Sequence, residues 1–197
     1  MEPSRDQQAA AVQPNTPAGL AAQDGSADGR RVALLANIAS AHDVAAAIGH
    51  GAEGVGLYRT ELCFLDRAVA PSVAEQVSGY RAVFSAFGGR PVVVRTLDAG
   101  ADKQLAFLEP AEEPNHALGV RGFRTAAIHP AALHDQLKAI KEAAESEMAE
   151  VWVMAPMMTS IDEVRGFAEA RTCGSLADHR GHDRNAGGCP PGRSDSC

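Results

Sequence analysis

Apolar positions in this chain fall into four short runs separated by amphipathic stretches. The first run, Val32 to Ile38, is short and continuous, which predicts a buried strand. Ser40 stands where it can cap a helix over about 41–49, closed by Gly51 and Gly54. The second run is Gly54 to Arg59. A helix is expected over about 72–86, ended by Gly88 and Gly89, and the third strand over about 91–97. Residues 98–120 are rich in Gly, Pro and Asn, and a segment of that length inside a compact domain is usually functional. From Leu133 to Met148 the period is helical, with Leu137, Ile140 and Ala144 on one face. Val151 to Met157 is the fourth apolar run. Ser160 caps a last helix through about Arg171, with Glu163 completing a capping box.

Strand and helix thus alternate four times. The strands are continuously apolar, which predicts burial on both faces, a parallel sheet and an α/β fold. No GxGxxG opens a helix, so a dinucleotide fold is disfavoured. Parallel α/β sheets gather ligand chemistry at the carboxyl ends of their strands. Arg59 ends the second strand and Arg95 stands on the third after Val92-Val93-Val94. Each is followed by Thr, and by an acid within three residues: Glu61 after Arg59, Asp98 after Arg95. A guanidinium at the end of a buried strand needs a partner, because an unpaired buried charge is costly. Either arginine alone reads as a buried ion pair with Glu61 or Asp98. Two at equivalent strand ends favour a shared site for phosphate or carboxylate, which suits their planar donor forks. The loop Asp98 to Lys103 reads as a phosphate contact or as a solvated turn. Asn115, Arg121 and Arg124 read either as added donors at the rim of the site or, the favoured reading, as ordinary surface charge.

Composition narrows the partners. The 197 residues are 45% hydrophobic and 22% charged, enough for one domain with a tail. A net charge of -7 argues against nonspecific nucleic-acid binding through a basic face. No apolar run is long enough for a membrane span, and the first residues lack the apolar core of a secretory signal, so the expected location is cytoplasmic. Residues 1–29, rich in Ala, Gln, Pro and Asp, read as a disordered leader. Cys63 reads as a small packed hydrophobe. Cys173, Cys189 and Cys197, with His179 and His182, lack paired C-x-x-C spacing, which disfavours zinc.

Four motifs resemble one known family. GAEGVGLYRTELCFLDR (51–67), PVVVRTLDAGADKQL (91–105), NHALGVRGFR (115–124) and VWVMAPMMTSIDEV (151–164) are similar, in the same order, to enzyme I of the phosphoenolpyruvate:sugar phosphotransferase system. Pyruvate phosphate dikinase and phosphoenolpyruvate synthase share the barrel, but RTLDAGADK resembles enzyme I. The resemblance runs from about 30 to 171. It implies a phosphoenolpyruvate-binding (β/α)8 barrel of the TIM type, of which residues 30–171 would form the first half. It also implies that Arg59 and Arg95 grip the phosphoryl group. The family moves that group to a histidine on a separate N-terminal domain and then to the carrier HPr, assisted by magnesium, and the barrel carries its dimer interface. His116 departs from the family, which usually has proline there. The phosphohistidine domain is outside the resemblance. So is the second half of a barrel that has eight strands and roughly 250 residues. The magnesium carboxylates and the catalytic cysteine of the family belong to that half, so the magnesium ligands are expected to be absent and the chain inactive alone.

From Thr172 the chain changes character. Residues 172–197 hold one large aliphatic residue, Leu176, and no period. They read either as a disordered tail or as an aberrant, frameshifted one. The codons open to His179 onward, read one base later, permit Ile-Gly-Val-Met-Ile-Glu-Thr-Pro. Those open through Asp195 then permit Ala-Ala-Ala-Leu-Leu-Ala-Asp. That resembles the family's fifth strand with its magnesium-binding glutamate. A frameshift between about Arg171 and His179 is the expectation. Sequencing the coding DNA checks it: the motif should be legible in the shifted frame, and codons that cannot encode it would refute the frameshift.

Overall fold

The run from Val32 to Ile38 pairs only in its second part. A computed structural model describes residues 26, 28–65, 67–99, 105, 107–108, 115 and 118–173. In it β1 is Leu35–Ile38, parallel to β2, Gly54–Arg59. Val32 and Leu34 stay exposed, although the Glu53 N–H donates to the Leu34 carbonyl at 2.7 Å and extends the pairing by one bond. Between these strands lies α1, His42–Gly49. Its expected Ser40 cap is shared: Ser40 Oγ accepts from the His42 N–H, while the Asp43 carboxylate reaches back to accept from the Ala39 and Ser40 N–H groups. Gly51 follows at φ +83°, a conformation that favours glycine.

A 3-10 turn, Thr60–Cys63, leaves β2, and α2 spans Val73–Phe84 with a reciprocal Ser72–Glu75 capping box. β3 is Pro91–Arg95, shorter than its apolar run. A further 3-10 turn, Gly122–Arg124, leads into α3, Thr125–Ile128. The long helix, α4, covers Pro130–Glu145 and starts earlier than expected, because Pro130 is suited to a first helical turn. β4 is Glu150–Met154 and α5 is Ile161–Cys173. The expected capping box at α5 is present, with the Glu163 N–H donating to Ser160 Oγ and the Ser160 N–H to the Glu163 carboxylate.

The sheet is parallel throughout, in the order β1-β2-β3-β4. This α/β arrangement is consistent with part of a TIM-type barrel. One face of the sheet packs on the helices: Ile38, Val55, Tyr58, Val92 and Val94 meet Tyr80, Val83 and Phe84 of α2 and Ala139, Ile140 and Ala143 of α4. Tyr58 and Tyr80 meet edge-on at 6.0 Å between ring centroids.

The other face corrects the expectation of strands buried on both sides. Leu35, Trp152 and Met154 are exposed, Trp152 by 59%. Burial alternates along β3 and β4. No helix among the described residues covers this second face, so continuous apolar sequence does not produce continuous burial here. No helix among them is long and apolar enough to cross a membrane. The readings made for most of the leader, for Lys103, for His116 and for the tail beyond Cys173, zinc candidates included, lie outside the described residues.

The two capping carboxylates carry a pH dependence. The Ser72 backbone N–H holds Glu75 down to about 2, and the Thr159 backbone N–H, followed by Arg124, holds Glu163 down to about 2. Unfolded glutamates titrate near 4.3. Folded-state values below that mean stabilisation present above about pH 4.3 and lost as pH falls toward about 2. Melting temperature followed by circular dichroism should therefore fall over that window, and less steeply in the Glu75→Gln, Glu163→Gln double variant. Identical acid slopes would refute these roles.

Candidate functional site

Parallel pairing decides where the two strand-end arginines go. Arg59 and Arg95 are register partners across β2 and β3. Strand alternation puts them on the face opposite Tyr58 and Val94, which are buried against the helices. Neighbouring strands lie about 4.8 Å apart, so two guanidinium stems leave the sheet side by side. Beyond them the chain turns into Thr60-Glu61 and Thr96-Leu97-Asp98, all buried. Phe64, Leu97 and Leu105 form a small apolar cluster beside these turns.

Arg95 has two acidic partners. Its Nη2 donates to Glu61 Oε1 at 2.7 Å, and its Nη1 lies 3.3 Å from Asp98 Oδ2. The Glu61 side chain is 1% exposed and that of Arg95 19%, so this is a largely desolvated pair. Asp98 also accepts from Arg121 Nε at 3.2 Å. Arg121 thus leaves the surface role expected of it and closes a chain of alternating charge, Glu61–Arg95–Asp98–Arg121. Gly122 makes that placement feasible. Its φ is +57°, and a Cβ there would meet the Pro156 carbonyl oxygen at 2.8 Å, so only glycine lets this turn approach the end of β4.

Arg59 differs from Arg95. Its Nε is buried with no hydrogen-bond partner among the described residues, and the Nε of Arg95 is likewise unmatched. A buried donor left unmatched costs about 1–3 kcal/mol, so two at adjacent strand ends call for an acceptor. Arg95 is thus ion-paired, as the reading of either arginine alone expected, and the Nε of each arginine is left without an acceptor among the described residues.

Arg124 plays another part. It is tied to Glu163 at 2.9 Å, to the carbonyls of Leu118 and Gly119, and to Thr159 Oγ1, and so fastens the turn before α3 to the start of α5. The Asn115 side chain accepts from the Leu118 N–H. Cys63 is part-buried against the core, its thiol pushed up by burial and 3.5 Å from the Tyr58 hydroxyl. An apolar groove of about 470 Å³ between α4 and α5, lined in part by Phe123, Leu133 and Gly166, lies apart from the strand-end arginines. Among the described residues no three His, Cys, Asp or Glu side chains gather as a metal-ligand set. Glu61 and Asp98, the carboxylates nearest the strand ends, are turned to arginines.

Two buried glutamines, Gln76 and Gln136, escaped the sequence reading, and the second stands beside the site. Gln136, on the inner face of α4, is fully buried directly behind the two strand ends. A helical-period reading looks for apolar positions and assigns glutamine to solvent, and no motif marked it.

Residues 18–177 match the family described as PEP-utilising enzyme, PEP-binding domain. The chain is 53% identical over 157 residues to the phosphoenolpyruvate-protein phosphotransferase of Streptomyces coelicolor, covering 78% of this chain and 28% of that protein. It is 40% identical over 166 residues to the protein of that name from Staphylococcus carnosus, covering 84% and 28%. It is 44% identical over 142 residues to a multiphosphoryl transfer protein of Xanthomonas campestris, covering 72% and 17%. The chain thus spans little more than a quarter of the first two.

The ion chain predicts unequal costs for the two arginines. Arg95→Ala strips Glu61 and Asp98 of a shared partner and should destabilise by on the order of 3 kcal/mol. Arg59→Ala removes no ion pair and should change stability by less than about 1 kcal/mol. Urea melts measure both, and equal losses would refute the assignment.

Proposed function

The chain belongs to the PEP-utilising enzyme, PEP-binding domain family, and on that premise we propose that it is the phosphate-gripping first half of a phosphoenolpyruvate-protein phosphotransferase barrel. The observation that carries this reading is the pair of buried, unmatched Nε donors on register-paired Arg59 and Arg95. In this reading both arginines donate to the phosphoryl oxygens of phosphoenolpyruvate. Glu61 and Asp98 hold the Arg95 guanidinium in one orientation before substrate arrives. Asp98 carries Arg121 with it and adds positive charge at the edge of the site.

Phosphoryl transfer depends mainly on positioning and on neutralising charge at the transferred group. Arg59 and Arg95 supply both for the donor side. In the whole protein the phosphoryl group would pass to a histidine of a separate domain and then to HPr, in the cytoplasm, in service of sugar uptake. Magnesium would assist there. The 197-residue chain by itself is proposed to bind phosphoenolpyruvate without transferring its phosphoryl group.

A second reading rests on the open sheet face. Leu35, Trp152 and Met154 are exposed on it. Parallel sheets are normally covered on both faces, and free strand edges invite pairing. That favours a noncatalytic fragment that associates with itself or with an intact barrel of the same family. A monomer in sedimentation velocity at micromolar concentration would count against it.

Calorimetric titration of phosphoenolpyruvate tests the main reading. Binding is expected, and Arg59→Met should weaken it about tenfold or more, the loss of one charge-assisted contact. Undiminished binding by that variant, or none by the wild type, would overturn the grip. Phosphorylated HPr after incubation of the chain with phosphoenolpyruvate, magnesium and HPr would overturn the proposed inactivity.

A further inference from the structure

Gln136 is fully buried on α4, yet two of its three hydrogen-bond partners, Thr60 and Leu97, stand at the exits of the two arginine strands. Its Oε1 accepts from the Leu97 N–H at 2.8 Å. Its Nε2 donates to Thr60 Oγ1 at 2.9 Å and to the Tyr80 hydroxyl at 3.2 Å. Thr60 in turn donates to the Arg95 carbonyl at 2.7 Å. Tyr80 passes its own proton to Gln76 Oε1 at 3.3 Å, and Gln76 donates to the Pro71 carbonyl at 3.1 Å.

Thr60 is the residue after Arg59, and Leu97 is two residues after Arg95. One carboxamide therefore fastens the exits of both arginine strands to a single point on α4. Both amide protons and the carbonyl are used. An acid at 136, when ionised, could accept from Leu97 but could not donate to Thr60. A hydrocarbon would leave the Leu97 N–H unmatched, at the cost of a buried donor. We propose that Gln136 is a positioning residue that fixes the spacing and direction of Arg59 and Arg95 without touching the ligand. This deepens the phosphate-grip reading and rests on it for the ligand alone.

A glutamine that merely satisfied a core would affect stability and nothing else. The test separates the two in the full 197-residue chain. Gln136→Met keeps the volume and removes all three hydrogen bonds. Val83→Ala is the control, a core truncation on α2 with comparable destabilisation and no hydrogen bond to the strand exits. The first readout is the pair of arginine Nε–Hε resonances of Arg59 and Arg95 in nitrogen-15 spectra, without ligand. They should shift or broaden in Gln136→Met and stay in place in Val83→Ala. The second is calorimetric titration of phosphoenolpyruvate, where Gln136→Met should weaken binding about tenfold and Val83→Ala less than about twofold.

Gln136→Glu serves where the methionine variant does not fold. It keeps the acceptor for Leu97, and its arginine resonances should move less than those of Gln136→Met when both fold, and more than those of Val83→Ala in any case. Unmoved arginine resonances in a folded Gln136 variant would overturn the proposal. A wild type that fails to bind phosphoenolpyruvate would overturn the phosphate grip, while the resonances would still decide the positioning role.

Discussion

Two positive charges set side by side at the ends of paired strands are the constraint around which this molecule is arranged. Parallel register gives Arg59 and Arg95 no freedom to separate along the sheet. Their repulsion in a partly desolvated place must be offset locally. Glu61 and Asp98 provide that offset, and both sit in the residues just past the strand ends, where a parallel strand has left its ladder and the chain is free to turn back. Arg121 then rebalances Asp98 from a distant part of the sequence. The result is a line of alternating charges with one arginine, Arg59, outside it.

That asymmetry matters chemically. A guanidinium held by two carboxylates has its direction fixed but part of its donor capacity spent. One without such partners keeps its capacity but has to be held by packing. A site with one of each has a rigid element and an available one. In the proposed phosphate grip, affinity for the anion would come from donors not used internally, and the Nε groups of both arginines have no acceptor among the described residues. Buried ion pairs alone are weak contributors to stability, because desolvation cancels much of their attraction. Their value here lies in orientation.

Much of this was legible in the sequence. The four apolar runs, the helices between them, the Ser40 and Ser160 helix starts and the two strand-end arginines follow from period and capping chemistry. The apolar runs misled on one point: they carry no information on whether the second face of the sheet is covered, so Trp152 and Met154 read as buried. Arg121 read as rim charge because its partner Asp98 is 23 residues away, beyond any local pattern. Gln136 was invisible for a related reason. Its partners Thr60, Tyr80 and Leu97 come from three separate segments of the chain, and only the packing of α2 and α4 against the sheet brings them together.

The two faces of the sheet thus carry different kinds of order. The helical face holds the apolar core, and within it a single polar path runs from Pro71 through Gln76, Tyr80 and Gln136 to Thr60 and Leu97. A polar path in a core is costly unless every member is satisfied, and these members satisfy one another. The path ends at Thr60, next in the chain to Arg59 and bonded to the Arg95 carbonyl, and at Leu97, two residues past Arg95. Rigidity made in the packed layer is therefore delivered through the plane of the sheet to charged side chains on the open layer. For this reason the arginine pair can keep a defined geometry even though the face it stands on has no covering layer among the described residues.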